Sequence, residues 1–362
     1  MRLFTCGHCS QRLYFENVTC TRCGASLGFL PDRLRLVSLD ASGEESWRVH
    51  GEETSYRKCT NYAVHGVCNW MVPADEPHAF CSACRLNRTI PDLSVAGNLD
   101  LWRMLETEKR RLIYSLFRLR LPVASGNMRS AALAFDFLAD AAMTFSERGR
   151  VFTGHKDGLI TINIKEADPV ARERMRDEMA EPYRTLLGHF RHESGHYYWD
   201  RLIRNSSWLD EYRSLFGNDT LDYGQALEKH YRNGPPTGWQ ENFISSYAAM
   251  HPWEDWAETW AHYLHIVDTL ETAWQFSLGT HPQAGDDTQG RVCSDFDPYL
   301  ATSIDALIEH WLPLTFALNS LNRSMGHEHL YPFILSPRVI DKLGFVLRVV
   351  HRATSKPDQP PA

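Results

Sequence analysis

The chain has 362 residues and a mass of 41.6 kDa, which is enough for one large domain or for two to three smaller ones. Hydrophobic residues make up 43% and charged residues 23%, values that exclude a wholly disordered, collagen-like or coiled-coil chain. The formal net charge is −7, so the protein lacks the overall positive field that attracts nucleic acids or anionic membranes, and any nucleic-acid binding would have to be local.

The amino terminus does not follow the pattern of a secretory signal. Cys6, Gly7 and His8 interrupt the sequence before an apolar segment of about 7–15 residues can form. Nowhere does an apolar run reach the ~18–20 residues that a membrane-spanning helix needs. We therefore expect a soluble, cytoplasmic protein that has no membrane partner and keeps its cysteines reduced.

Eight of the nine cysteines lie within residues 1–95, where they form two groups of four. The first group is Cys6, Cys9, Cys20 and Cys23, and the second is Cys59, Cys68, Cys81 and Cys84. Two CxxC pairs on tight turns are typical of a zinc ribbon, in which four thiolates hold Zn²⁺ at about 2.3 Å. The second group has one tight and one looser pair, and we expect zinc there as well. Closed sites of this kind stabilise folding and leave no position for a catalytic water, so the predicted role of residues 1–95 is structural, with docking of a partner protein left open.

From about residue 98 the apolar residues recur at helical spacing, which predicts a mainly helical domain over 96–355. Within it, residues 151–164 alternate around a glycine-containing turn, as a β-hairpin or an edge strand would. Further helices are predicted at 168–180, from Pro182 to about residue 203, and at 242–250, 253–277, 303–322 and 337–351, with a possible break at Pro313. The proline-rich tail, 356–362, is expected to be disordered.

The segment that carries chemistry is His192-Glu193-Ser194-Gly195-His196, an HExxH motif inside an apolar-periodic helix. Histidines four residues apart leave the same helix face, so both imidazoles can bind one zinc ion. Glu193 then lies beside the metal, where its carboxylate can act as the general base for the attacking water. A chance HExxH on a solvated helix is the alternative for this motif taken alone.

A catalytic zinc ion needs a third protein ligand. The extended HExxHxxGxxH pattern is excluded, because Trp199 and Leu202 occupy its glycine and histidine positions. A later aromatic helix supplies carboxylates instead, with Glu254 and Glu258 on one face and Asp255 about 100° away. Buried acids of this kind are costly to desolvate without a cation or hydrogen-bond partners. Either glutamate can be the ligand, and the other then accepts a hydrogen bond from the histidine nitrogen that does not face the metal. Asp255 is expected to cap the helix or to contact a ligand residue.

These motifs resemble those of the gluzincin metallopeptidases, and the whole chain resembles a bacterial zinc-binding metallopeptidase family that couples an N-terminal zinc ribbon to an HExxH domain. The resemblance implies an α+β protein, in which zinc-ribbon modules precede a mainly helical zincin-like metallopeptidase domain with a small β-sheet. It further implies His192, His196 and Glu254 as zinc ligands, Glu193 as the general base and Glu258 as an outer contact.

The sequence around the later helix is also similar to the catalytic domain of anthrax lethal factor, in which a tyrosine two helical turns before the ligand glutamate stabilises the oxyanion. Tyr247 occupies the matching position, and an aromatic packing role is the alternative. Trp253 and Thr259 differ from the thermolysin pattern, which keeps the choice between Glu254 and Glu258 open.

The resulting hypothesis is a zinc-dependent peptidase that acts on a peptide or protein substrate and holds one catalytic and two structural zinc ions. The alternative is a zinc-ribbon module that binds a protein or a nucleic acid, joined to a non-catalytic zincin-like scaffold. The net charge of −7 argues against general nucleic-acid binding.

Overall fold

The computed structural model describes residues 1–123, 132–140, 151, 153–179, 185–283 and 290–354. The chain divides into two compact units, one running from Arg2 to Phe190 and the other from Arg191 onward together with Met1. Each unit has its own sheets or helices and its own buried side chains.

The first unit begins with strand-rich structure. The strand pair β1 (Phe4–Thr5) and β2 (Arg12–Leu13) precedes an antiparallel sheet of β3 (Ser26–Leu30), β4 (Arg35–Ala41), β5 (Ser46–Val49), β6 (Ser55–Lys58) and β7 (Met71–Pro73), with the short helix α1 (Thr60–Ala63) before β7. These strands are hydrogen-bonded in chain order. Apolar side chains from successive strands, among them Leu39, Tyr56 and Met71, form a buried cluster on this sheet.

A mixed sheet completes the first unit. Its strands are β8 (Asn87–Thr89), β9 (Ala134–Leu138), β10 (Gly154–Lys156) and β11 (Leu159–Asn163), in the spatial order β10-β11-β9-β8. Between β8 and β9 the chain forms helix α2 (Asn98–Arg118), and helix α3 (Pro169–Met179) follows β11. The predicted hairpin is confirmed, because Asp157 and Gly158 both have positive φ and form its two-residue turn. The edge-strand alternative is wrong for β11, which pairs with β10 on one side and β9 on the other.

The second unit is helical. Helix α4 (Leu186–Leu202) belongs to it from Arg191 onward. It is followed by α5 (Leu209–Phe216), α6 (Tyr223–Asn233), α7 (Pro252–Gln275), α8 (Ile304–Ser324), α9 (Pro337–Thr354) and a small strand pair, β12 (Gly279–Thr280) and β13 (Val292–Cys293). Helix α7 is buried over most of its surface and contacts α5, α8 and α9. A helix that is buried on nearly all sides belongs at the centre of its unit.

Most predicted helices of this unit are present within a few residues of their expected bounds, and the α+β class is confirmed. Pro313 does not break α8, whose buried Trp311 and Leu314 keep the helix packed on either side of it. The predicted helix at 242–250 is wrong, since only a short 3₁₀ turn forms there, at Tyr247–Ala249. Ser245 explains the difference, because its hydroxyl oxygen accepts a hydrogen bond from the backbone N–H of Ala248 and so competes with helical bonding.

Helices α5 and α6 were not predicted. Tyr223, Leu227 and Tyr231 recur at helical spacing in α6, but none of its side chains is buried. Its ends do carry signals, because the carboxylate of Asp222 accepts from the N–H of Gln225 and Gly234 follows the last turn with positive φ. The predicted start at Pro182 and the predicted disordered tail at 356–362 lie outside the described residues. Within the described ranges no helix is long and apolar enough to cross a membrane.

Candidate metal centre

The site lies between α4 and α7, which approach each other closely at a glycine. A Cβ atom added to Gly195 would lie 2.9 Å from the Cα of Ala257, so no side chain fits on α4 at this point. Two indole N–H groups of α7 fix the contact: Trp256 donates to the carbonyl of Gly195 at 2.8 Å, and Trp260 donates to the hydroxyl of Ser194 at 3.1 Å. The two middle residues of the HExxH motif therefore anchor its histidines against α7.

The start of α7 decides where its carboxylates lie. His251 caps the helix by accepting a hydrogen bond from the N–H of Trp253, and Pro252 occupies the first turn, where a missing N–H costs nothing. Glu254 and Asp255 follow at once and are fully buried. The ring of Trp253 stacks on that of His196 with centroids 3.8 Å apart, which restricts the orientation of this imidazole.

Three donor atoms from the two helices converge on one point. Nε2 of His192 lies 3.1 Å from Nε2 of His196 and 2.9 Å from Oε2 of Glu254, and Nε2 of His196 lies 3.5 Å from the same carboxylate oxygen. Tetrahedral ligands at zinc–nitrogen and zinc–oxygen distances of about 2.0–2.1 Å are roughly 3.3 Å apart. The chemistry and the spacing of these donors thus fit a zinc ion held by three protein ligands.

The two glutamates of α7 bond to opposite sides of His192. Glu254 faces Nε2, whereas Oε1 of Glu258 lies 2.7 Å from Nδ1 of the same ring. Glu258 also accepts a hydrogen bond of 2.6 Å from the hydroxyl of Ser245. This geometry favours Glu254 as the ligand and Glu258 as the outer partner that orients the imidazole, a choice that the sequence left open.

The electrostatics suit a cation. Burial raises the pKa of Glu254, but His196 and His192 more than offset this and hold it well below its usual range. Burial also raises the pKa of Glu258, but the hydrogen bond from His192 more than offsets this and lowers the pKa to about 2. Burial alone would lower the pKa of His192, whereas its bonds to both glutamates raise it well above 6.5. The site thus holds two ionised carboxylates around one imidazole that takes up a proton, and a metal cation would compete with that proton.

Two tyrosines lie beside His192, His196 and Glu254, and sequence analysis identified only one of them. Tyr247, from the 3₁₀ turn before α7, has its ring centroid 6.0 Å from that of His192. Tyr223, the first residue of α6, donates its hydroxyl proton to Oε1 of Glu254 at 2.9 Å. Burial raises the pKa of both phenols, so both hydroxyls stay protonated at neutral pH. No fixed spacing connects Tyr223 to the metal motif.

The remaining predicted site residues are also buried in this unit. Glu193 follows His192 on α4. The carboxylate of Asp255 accepts a hydrogen bond of 2.6 Å from Lys342 on α9. Burial raises the pKa of Asp255 to about 7 against the opposing charge of Lys342. Asp255 therefore connects α7 to α9.

The two cysteine groups of the first unit each bring four sulfur atoms together. In the first group Sγ of Cys6 lies 3.7 Å from that of Cys23, and in the second the Cys68 and Cys81 sulfurs are 3.8 Å apart. Thiolates around tetrahedral zinc at about 2.3 Å are roughly 3.8 Å apart, so both groups fit the ion. All nine cysteines are free thiols. Their roles as ligands, like those of the HExxH residues, stay predictions.

Two family models match successive parts of the chain, which meet near residue 96. Residues 98–349 match the model of a family described as "Putative zinc-binding metallo-peptidase". The chain belongs to this family. Residues 3–95 of this metallopeptidase-family member match a zinc-ribbon domain.

Relatives extend over the full length. The chain is 45% identical over 368 residues to uncharacterized proteins of Mycobacterium bovis and of two strains of Mycobacterium tuberculosis, covering 100% of this chain and 98% of each relative. No solved structure matches.

Proposed function

We propose that this protein is a zinc-dependent peptidase whose catalytic centre consists of His192, His196 and Glu254 as ligands and Glu193 as general base. The observation that carries the proposal is the convergence of Nε2 of both histidines and Oε2 of Glu254, with pairwise separations of 2.9–3.5 Å. Membership of a zinc-binding metallopeptidase family supports it.

Bound zinc supplies Lewis acidity, which polarises a peptide carbonyl and acidifies water. Glu193 accepts the proton of the attacking water and delivers it to the leaving amine. Glu258 accepts the Nδ1–H of His192 and so keeps Nε2 directed at the metal position. Tyr247 donates a hydrogen bond to the oxyanion that develops on the carbonyl.

We further propose that the two cysteine groups hold structural zinc within a ribbon region of residues 1–95, and that residues 96–355 form the peptidase domain. Each group offers four thiols, which leaves no position for a water molecule. The full complement is therefore about three zinc ions per chain, one catalytic and two structural.

The test compares wild type with Glu193→Gln on a quenched-fluorescence peptide library, with zinc measured by elemental analysis in the same samples. We expect Glu193→Gln to keep all of its zinc and to lose about 10²–10⁴-fold in kcat, because the amide cannot accept the proton. The double variant His192→Ala, His196→Ala should drop from about three zinc ions to about two. Unchanged hydrolysis by purified Glu193→Gln, or unchanged zinc in the double variant, would refute the assignment.

A further inference from the structure

A third group of metal-binding side chains lies on the surface of the first unit. Nε2 of His8 lies 3.1 Å from Oδ1 of Asp40, and Nδ1 of His50 lies 2.9 Å from Oδ2 of the same carboxylate. One donor atom of each residue lies within 4.8 Å of the other two. All three side chains are open to solvent, with exposed fractions of 32% for His8, 45% for Asp40 and 38% for His50.

The backbone around Ser38 brings these three residues together. The hydroxyl of Ser38 on β4 accepts the N–H of Gly7 at 2.8 Å, in the turn that carries His8 between Cys6 and Cys9. The carbonyl of Ser38 accepts the N–H of His50 at 3.0 Å. Asp40 is two residues further along the same strand and therefore on the same face of the sheet as Ser38. Hydrogen bonds to Ser38 thus connect the cluster to the turn of the first cysteine group and to the adjoining sheet.

The types of donor in the cluster indicate a transition metal. Each imidazole lies within 3.1 Å of a different oxygen of Asp40, whereas in the HExxH centre both imidazoles face the same carboxylate oxygen. Two imidazoles and one carboxylate form a donor set that suits zinc, copper or nickel better than calcium or magnesium. Hydrogen bonding from His50, followed by the charges of both rings, keeps the pKa of Asp40 below its ordinary value, so the carboxylate is ionised at neutral pH.

One feature of the cluster limits how tightly it can bind. The two imidazole rings stack with centroids 3.6 Å apart and an interplanar angle of 25°, whereas a ligated ion lies in the plane of each ring. The rings must therefore rotate when an ion binds, which their exposure permits. A site that reorganises in this way binds less tightly than a preformed one.

We infer that His8, Asp40 and His50 form a further metal site that takes up a divalent transition cation reversibly. It differs in kind from the two groups of four cysteines, because three protein ligands leave a coordination position for water or for a donor from another molecule. The ion at this site exchanges with solvent while the closed thiol sites keep theirs.

The experiment is a calorimetric titration of zinc-replete, full-length protein with Zn²⁺, after loosely held metal has been removed by gel filtration. Wild type should bind one further ion. His50→Ala and Asp40→Ala should each weaken that step by at least about tenfold, since each removes one of three ligands. His78→Ala, which removes an exposed histidine of the same unit, should bind as wild type does. His50 is the better target than His8, because His8 lies between two cysteines of the first group.

Elemental analysis of each variant before the titration checks that the zinc held by the cysteines is unchanged. No binding step in wild type would show that Asp40 serves only as a hydrogen-bond acceptor for two histidines, and would overturn the inference. A step that persists in both His50→Ala and Asp40→Ala would assign the ion to other residues and would overturn it equally.

Discussion

The hydroxyl of Tyr223 lies 2.9 Å from Oε1 of Glu254, the carboxylate whose other oxygen faces His192 and His196. A hydrogen bond on the outer oxygen fixes the rotamer of this glutamate and directs Oε2 toward the metal position. Outer contacts of this kind tune both the affinity for the metal and the basicity of the ligand. Tyr223 is thus a positioning residue that acts through Glu254.

Removing that hydroxyl should affect metal binding. We expect Tyr223→Phe to weaken zinc binding at the HExxH centre by about 10–100-fold, the range observed for loss of an outer-contact partner. Competition with a chromophoric chelator measures this affinity. Tyr231→Phe is the matched control, because Tyr231 is 58% exposed on the same helix. Equal zinc affinities for Tyr223→Phe and Tyr231→Phe would remove the proposed role.

The comparison with Tyr247 separates positioning from catalysis. If Tyr247 donates to the oxyanion, Tyr247→Phe keeps its zinc affinity and KM but loses roughly 10²-fold or more in kcat. A loss of zinc in both phenylalanine variants would instead mean that the two tyrosines act together on Glu254.

The two glutamates of α7 should respond differently to the same change. Glu254→Gln removes a charged ligand and should abolish zinc binding at this centre, leaving the zinc of the cysteine groups in place. Glu258→Gln keeps a hydrogen-bonding side chain beside Nδ1 of His192 and should weaken zinc binding by only about 10–100-fold. Zinc titration of the two variants distinguishes them, with the exposed Glu241→Gln as control. A stronger loss of zinc binding in Glu258→Gln than in Glu254→Gln would mean that Glu258 is the ligand and Glu254 the outer partner.

The HExxH motif and the later carboxylates were predictable because each depends on local spacing: histidines four residues apart share a helix face whatever the rest of the chain does. The sequence could not rank Glu254 above Glu258, because that depends on which nitrogen of His192 each one meets. Tyr223 and Ser245 come from separate segments with no periodic signal. His8 and His50 lie in turns and Asp40 on β4, and the hydrogen bonds of Gly7 and His50 to Ser38 bring them together.

The close approach of α4 and α7 predicts a steric limit at the centre of the motif. Gly195→Ala places a methyl group 2.9 Å from a backbone atom of Ala257, which cannot move without the helix. We expect a loss of about 1–3 kcal/mol in the free energy of unfolding, as for other overpacked interiors, and weaker zinc binding because the histidines move away from Glu254. Denaturant unfolding and zinc titration measure the two effects.

The control for this change is Gly224→Ala in α6. There the nearest atom to the new methyl group is a side-chain oxygen of Asp222 at 3.4 Å, an ordinary contact. Gly224→Ala should therefore be close to neutral. Equal stability of the two alanine variants would contradict the packing argument for Gly195.

A buried cation of α2, Arg110, lies beside the second cysteine group. The guanidinium of Arg110 donates to the carbonyl of Val67, next to Cys68, and its Nη1 lies 3.9 Å from the carboxylate of Glu106. Burial alone would lower the pKa of Arg110, but the nearby charges of Cys68 and Glu106 raise it. If the four cysteines bind zinc as thiolates, the guanidinium would partly balance the negative charge that they and Glu106 place in the interior.

Arg110→Met keeps the volume of the side chain and removes its charge. We expect it to destabilise the protein by about 3 kcal/mol, since it leaves buried negative charge without one of its partners, and to speed zinc release from the second cysteine group to a chelator. Arg111→Met is the matched control: Arg111 is 33% exposed and pairs with Glu16 and Glu108 at the surface, so its loss should cost less than about 1 kcal/mol. If both variants unfold at the same denaturant concentration, the buried guanidinium does not support the thiolate site.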